Sequence, residues 1–549
     1  MLKYLLKRIL HGIISVIIVI GIIIVIVYSL LDRKLIFQGD SEYSKKTNNV
    51  VKTYEMKKWQ EYGYVDYINY SDYLAKLQLD GEISSEDITQ ASNLLATATA
   101  TETATILVKD SDSKVVYVEG NYILSGDNAL AKEYITKFVK TYQDKGYTIA
   151  RLYKMLVGSR LATNGNPTLY AYKDRSVFTR IWSFFSGILT FDNIHYATED
   201  VGDRGISFTF FDPAYGGNVF APAIMGNGTK HRYLLYFDGK FPFIHQNLIT
   251  ITLGKSFSQQ RGLDVFEIMT NPQGDLSYSD VTFPTGVVVN ESAVNIHTLT
   301  YSDAVASGSD VDLYGEGSHY INVENNKVTS SRIALSFIIG IFSVILSYLI
   351  AVPLGILMAR KKDKLADKLG TIYIVFIMAV PSLAYILMFK ALGQSMGLPT
   401  TFDTNKATFP YFVLPVISLA LPSIASLMKW LRRYMIDQMN SDYVKFARSG
   451  GLSEQEIFTK HIFKNAAIPL VHGIPGTVLG CLVGAIITET VYVVPGTGGL
   501  LTDAIHTYDN SVIVGVAFFY AVLSIISLIL GDILISMMDP RISFSTKGR

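Results

Sequence analysis

The 549-residue chain contains a single cysteine, Cys481, so no intramolecular disulfide can brace any part of it, and packing alone must hold whatever folds. Charge is scarce as well. Charged residues make up 17% against 49% hydrophobic, and the formal net charge is +1. That balance gives no long-range field suited to nucleic acid or an acidic partner. With a mean hydropathy of +0.28, the chain is too apolar for an ordinary soluble protein of its size and belongs with membrane proteins.

Catalytic and metal-binding patterns are missing too. Neither HExxH nor GxSxG occurs, and His195, His231, His245, His297 and His319 lack metal-ligand spacing, so they read as ordinary surface or core histidines. Gly254, Lys255 and Ser256 end like a phosphate-binding loop, but the position that should open it is Ile249. Asp310, Asp312 and Gly315 hint at a calcium loop whose twelfth position is Ile321 instead of a bidentate glutamate. The expectation is a chain with no catalytic residues, no metal and no cofactor of its own.

What the sequence does have is long apolar runs. Ile9 to Leu31 is uncharged throughout and matches the ~20 residues that cross a bilayer as a helix. It is longer than the apolar core of a cleaved signal and has no small-residue cleavage site, so it reads as an anchor. Further spans are expected at about 332–359, 371–392, 409–430, 466–490 and 511–536, giving six. Lys3, Lys7 and Arg8 precede the first; Arg360, Lys361, Lys362 and Lys364 follow the second; Arg432, Arg433, Lys445, Arg448, Lys460 and Lys464 lie between the fourth and fifth; Arg541, Lys547 and Arg549 follow the last. The opposite loops, 393–408 and 491–510, carry only Lys406. Positive residues stay inside, so both termini are expected in the cytoplasm and residues 32–330 outside.

Inside the spans, Gly476, Gly480 and Gly484 recur every four residues on one helix face, a pattern for close helix packing. Pro353, Pro381, Pro415 and Pro422 each remove a backbone hydrogen bond. The intervening 32–330 mixes helix and strand signals, as in an α+β domain. It includes a hairpin from Thr105–Val108 and Val115–Val118 across the turn residues Asp110 to Ser113, and a helix from Asn128 to Lys145 ended by Gly146. Arg180 to Leu189, with Trp182, Phe184 and Phe185, is amphipathic and fits either a membrane surface or core packing.

The stretch 442–465 reads as two short helices: Asp442 as N-cap of the first, Gly450 and Gly451 as its stop, and Ser453 with Glu456 as a capping box opening the second. Local signals fit a plain connector and a docking element equally. Tyr443, Val444, Lys445, Phe446, Ala447 and Arg448, then Gly451, Leu452 and Ser453, then His461, Lys464, Asn465 and Pro469 resemble the "EAA" loop of ABC-importer permeases in its peptide-transporter form. Lys445 stands at the namesake glutamate and Phe446 at the first alanine, while Ala447 and Gly451 hold.

A second block is more specific. Glu489 to Tyr492, then Pro495, Gly496, Gly498 and Gly499, then Asp503, Ala504 and Asp509, and finally Asp532, Asp539, Pro540 and Arg541 are similar to the C-terminal signature of oligopeptide and dipeptide permeases. Tyr4 and Arg8 resemble that family's N-terminus, and Leu253 to Ser256 resembles its motif before the second span. The likeness covers Ile333 to Phe544 and leaves most of 32–330 outside it. A large first external loop is similar to the peptide permeases of some Gram-positive bacteria, including the Ami type.

The resemblance implies an all-α polytopic membrane domain of six transmembrane helices with the type I ABC importer permease fold, carrying a large α+β extracellular insertion between helices 1 and 2. The expected divisions are 1–31 (N-terminus and first helix), 32–330 (extracellular domain), 331–540 (permease core with a coupling hairpin at 442–465) and 541–549 (cytoplasmic tail). It implies a permease subunit of an ATP-driven importer of oligopeptides, working by alternating access and not an enzyme. The implied partners are a second homologous permease, two cytoplasmic ABC ATPases, an extracellular peptide-binding lipoprotein, the peptide and membrane lipid, with no nucleic acid. ATPase coupling falls to Tyr443, Lys445, Ala447, Arg448, Gly451, Leu452, Ser453, His461 and Asn465, and an external gate to Glu489, Pro495, Gly496, Gly498, Asp503 and Asp509. Glu489, at the outer end of a span, is either paired with the amides of the Pro495–Gly499 turn or a solvated interfacial carboxylate. A metal-chelate or glutathione importer of the same superfamily is the alternative, and a membrane-anchored sensor of extracellular peptides a weaker one.

Overall fold

In lipid, every backbone polar group must find its partner within the segment, and the apolar runs accordingly form helices. The computed structural model describes residues 2–46, 49–92, 108–109, 115–116, 129–152, 156–157, 160–161, 168–191, 205–211, 223–227, 249–283, 285–300, 305–316, 322–406 and 408–538. Among these, five helices are long and apolar enough to cross a membrane: a first span Leu2–Leu30, a second Arg332–Arg360, a fourth Phe409–Met439, a fifth Ile474–Tyr492 and a sixth Asn510–Met538.

The third span departs from the sequence expectation of one helix over 371–392. It is a broken pair, Leu365–Ala379 and Ser382–Ser395, bent by 111°. Pro381 has no N–H to continue the ladder, and the residue before a proline is pushed out of the α region; Val380 is accordingly extended (φ −85, ψ 132). Pro353, Pro415 and Pro422, by contrast, sit inside unbroken helices. The fifth span is also shorter at its start than expected, because residues Lys464–His472 form a separate helix that stops at Gly473. It ends where Val493 turns left-handed (φ 57).

The second span is the central column. Ser336, Gly340, Ser343, Ser347, Ala351 and Gly355 are small and buried along one side, which lets neighbouring helices come close. A Cβ on Gly340 would lie 3.1 Å from Leu482 of the fifth span, and one on Gly355 would lie 3.1 Å from Leu431 of the fourth. Ser343 donates to the carbonyl of Val416 (3.0 Å) and Ser347 to that of Ala420 (3.3 Å). The first span lies apart from this column, packing Val16, Ile20 and Ile24 on Val514 of the sixth.

Between the first two spans sits an α+β module. Its sheet is antiparallel, with Thr168–Asp174 between Val65–Asn69 and Thr148–Leu152. Aromatic side chains fill the two faces in place of any disulfide: Trp59, Tyr64 and Tyr170 with Met56 on one, and Tyr70, Phe138 and Leu74 on the other. The helix expected at 128–145 runs Ala129–Asp144, and the chain reverses at Gly146 (φ +75). The expected hairpin pairs Val108–Lys109 with Val115–Val116, while its turn lies outside the described residues. The amphipathic segment forms Val177–Gly187, with Phe184 and Phe185 against Phe518 of the sixth span. Phe184 and Phe185 therefore pack on the span bundle, while Trp182 stays exposed.

Candidate functional site

At one end of the bundle, away from the module, residues 442–472 project as a hairpin. Its first helix is Asp442–Ser449, and here the structure corrects the expected cap. Ser441 occupies the N-cap position but turns its hydroxyl back to the Gln438 carbonyl (2.6 Å) and makes no side-chain capping bond, and Asp442 is the first helical residue, paired with Lys445 at 2.9 Å. Gly451 makes the turn at φ +82, a conformation in which a side chain costs ~1–2 kcal/mol. Ser453 and Glu456 form a capping box, after which a π-helical turn, Ile457–Phe463, leads into Lys464–His472.

Val444 and Ala447 are buried against Ile457 and Ile462, which welds the two arms. Arg448 clamps them from outside through Glu454 (2.5 and 3.0 Å). Those hydrogen bonds hold the Glu454 carboxyl below its usual range. The Tyr443 hydroxyl lies 2.5 Å from Gln438 Oε1 and 3.3 Å from the His461 carbonyl, and it accepts from Asn465 (3.0 Å). Of the expected coupling residues, Tyr443, Ala447, Arg448, Gly451, Ser453, His461 and Asn465 thus shape the hairpin, whereas Lys445 and Leu452 face outward. Phe446 on the first helix is 80% exposed, an apolar knob that no described residue covers.

Two pairings that sequence reading did not single out lie at the hairpin end of the spans, the first tying the hairpin to the second span and the second tying the third span to the fourth. Arg360, the last residue of the second span, donates to Gln455 (3.0 Å) and stacks 3.9 Å over the Phe458 ring. Nearby, Arg432 grips the buried Asp367 with two bonds of 2.5 and 2.6 Å. No local pattern marks a pair 65 residues apart.

At the module end, two buried carboxylates organise the chain. Glu489 is fully buried. It accepts from the Ser336 hydroxyl (2.6 Å) and the Gly499 N–H (2.9 Å), and from the Gly498 N–H. Of the two sequence readings, the paired one describes this geometry. Gly496 and Gly498 let the turn close over the carboxylate: a Cβ on Gly496 would collide with it, and one on Gly498 would lie 2.7 Å from Ile486 Cγ1 and 2.8 Å from its Cα. Pro495 leads into the helix Thr497–His506, on which Asp503 is exposed. Ser336 also accepts from the Thr497 N–H (2.9 Å). Arg332, within electrostatic reach of Asp503 and Glu489, keeps its Nε buried with no hydrogen-bond partner among the described residues.

Asp509 is the second anchor. Its Oδ2 accepts from Ser256 Oγ (2.7 Å), the Phe257 and Ser258 N–H groups (3.0 Å each) and Ser258 Oγ (2.9 Å), and its Oδ1 takes the Val512 N–H (3.3 Å) at the start of the sixth span. The Leu253–Ser256 motif and the Asp503–Asp509 motif therefore meet. The turn is shaped from behind by Asp264, which accepts from the Leu253, Gly254 and Phe266 N–H groups. Burial pushes that carboxyl above its ordinary range against the opposing pull of those bonds.

A third junction ties the ends of the chain together. Asp532 accepts from the Tyr4 hydroxyl (3.1 Å) and pairs with Arg8 (3.1 Å). Asp539, Pro540 and Arg541 lie outside the described residues. The glycine face expected to pack helices behaves differently. A Cβ on Gly476 or Gly480 would meet no atom within 4 Å, so no other described segment of this chain approaches there. Gly484 follows one turn further along the same helix. The close approaches are made instead at Gly340 and Gly355, whose signal was the four-residue spacing of small residues on the second span.

The family described as "Binding-protein-dependent transport system inner membrane component" matches residues 351–544. The oligopeptide transport system permease protein AmiC of Streptococcus pneumoniae is 33% identical over 554 residues, covering 100% of both chains. The dipeptide transport system permease protein DppB of Lactococcus lactis is 30% identical over 42% of this chain and 75% of its own length. The oligopeptide transport system permease protein AppB of Bacillus subtilis is 28% identical over 40% and 72%.

Proposed function

The chain belongs to the family of oligopeptide-transport permeases of binding-protein-dependent ABC importers, and from that premise we propose that it forms one half of a peptide pathway gated from both ends. It is a multi-pass membrane permease subunit and not an enzyme. A second homologous permease completes the pathway, two ATPases bind the hairpin in the cytoplasm, and a peptide-binding lipoprotein delivers substrate on the module side. Both termini are cytoplasmic and residues 32–330 extracellular in this reading, which the basic residues of the hairpin end support.

The observation that carries this reading is the open face of the fifth span. Gly476 and Gly480 present bare backbone to empty space, on a helix whose other sides pack against the second, fourth and sixth spans. A small-residue face left uncovered in the middle of a bundle suits a pathway wall or the seam with a partner permease.

Coupling follows from the second span. It is one helix from Ser336, which holds Glu489, to Arg360, which holds the hairpin. The distance is ~36 Å at the usual helical rise. A shift of the hairpin by the ATPases is carried along that rod to the Glu489 turn as a rigid-body motion. ATP binding selects the outward-open state only through the better fit of the ATPase dimer to it.

Cysteine labelling tests orientation and docking together. In a Cys481→Ala background, Leu79→Cys, at an 88% exposed site, is expected to react with an impermeant maleimide in intact cells. Phe446→Cys is expected to react only after permeabilisation, and to be protected when the ATPases are co-expressed. Labelling of Phe446→Cys from outside would reverse the topology, and equal labelling with and without the ATPases would remove the hairpin as their dock.

A further inference from the structure

The first and sixth spans and the module meet around a cavity of about 190 Å³. That is below the roughly 300–1,000 Å³ of pockets that enclose whole drug-sized ligands, but ample for a phosphate group. Its floor is Ile24 and its walls include Tyr28, Glu61, Arg175, Arg180 and Lys255. Three cations face one carboxylate, and Glu61 is itself paired with Lys58 at 2.8 Å. Arg175 uses its Nε on Asp66 (2.7 Å). Arg180 reaches the carbonyls of Tyr28 (3.5 Å) and Tyr64 (3.2 Å) and lies over both rings, while its Nε is buried with no hydrogen-bond partner among the described residues. Lys255 is exposed and its ammonium has no partner among the described residues. Among the described residues, the cavity therefore carries more positive than negative charge.

A second observation places it at the membrane boundary. Arg180 stands on the amphipathic helix Val177–Gly187, which seats Phe184 and Phe185 on the sixth span. On its other side, Phe178 and Trp182, four residues apart, are 77% and 68% exposed. They continue the lipid-facing surface of the first span, where Ile22, Val25 and Ile26 are also uncovered. Exposed Trp beside a span belongs at headgroup depth, and a helix with such a face lies in the interface.

We propose that this cavity is a binding site for the phosphate headgroup of an anionic phospholipid in the outer leaflet, with Arg180 and Lys255 as its cations and Phe178 and Trp182 against the acyl chains. Charge complementarity and continuity with the lipid-facing span select that occupant. A bound lipid would fasten the module to the first and sixth spans at the point where Asp509 and Arg180 already join them.

The test uses the full chain co-purified with its partner subunits from nanodiscs of phosphatidylcholine containing a minority of phosphatidylglycerol, with retained lipids counted by native mass spectrometry. The wild type is expected to retain phosphatidylglycerol preferentially. K255E is expected to lose about tenfold of that retention with phosphatidylcholine unchanged, and K255Q to lose less. Because Lys255 has no partner to lose, unchanged co-purification of K255Q separates lipid loss from misfolding. Equal retention of the two lipids by the wild type, or wild-type retention by K255E and K255Q, would overturn the proposal. Release of the retained lipid by inorganic phosphate would reassign the cavity to a free anion.

Discussion

Glu489→Ala is expected to abolish peptide uptake and to lower the thermal unfolding midpoint of the purified protein by more than any substitution on the hairpin. The carboxylate costs free energy to bury, yet removing it is worse. Ser336 Oγ, Gly498 N–H and Gly499 N–H would lose their acceptor inside a closed turn. Each orphaned buried donor costs ~1–3 kcal/mol. Glu489→Gln keeps the volume and one acceptor oxygen, so a smaller loss is expected. Gly498→Ala should resemble Glu489→Ala, because its Cβ meets the Ile486 backbone at 2.8 Å, and backbone cannot step aside. Wild-type uptake and stability in Glu489→Ala would show that the turn is held by something other than this carboxylate.

Asp509→Ala is the second large effect. The side chain collects four hydrogen bonds from Ser256, Phe257 and Ser258 at Oδ2 and one from Val512 at Oδ1, and it is fully buried. Each buried donor it leaves unpaired costs ~1–3 kcal/mol, and the loss should act locally, loosening the 253–264 turn from the sixth span while the sheet of the module stays folded. Hydrogen exchange is the suitable measurement. Faster exchange is expected at Phe257 and Ser258, with the strand Thr168–Asp174 unchanged. If protection at Phe257 and Ser258 persists in Asp509→Ala, the bonds to the carboxylate are not what secures the turn. Asp509→Asn, which keeps one acceptor oxygen, should lie between.

These two carboxylates also show what can be read from a sequence and what cannot. Both stand in a compact block of glycines and acids between Glu489 and Asp509, so their importance was visible. Their partners were not. Ser336 lies 153 residues from Glu489, and Ser256 lies 253 residues from Asp509; a serine in an apolar run carries no mark of the acid it will meet. Hydropathy located the spans because the bilayer imposes a length on them, yet it does not distinguish Pro381, where the helix breaks, from Pro415, where it runs on. The glycine spacing on the fifth span marks a small-residue face, which no described segment of this chain covers at Gly476 or Gly480. Periodicity identifies a face without saying whether the same chain covers it. In the module, strand and helix signals outlined an α+β unit, but its attachment through Arg180, Tyr64 and Asn510 is built from single residues in unrelated elements.

The central claim is that this chain forms half of a peptide pathway, with the fifth-span face as its wall or its seam with the partner permease. Uptake of a labelled oligopeptide by cells lacking the chain, complemented with the wild type or with Gly480→Trp, tests it most directly. The expected result is no uptake without the chain, full uptake with the wild type, and none with Gly480→Trp despite normal membrane insertion and ATPase co-purification. Peptide uptake that persists without the chain, while uptake of a metal chelate or glutathione is lost, would contradict it.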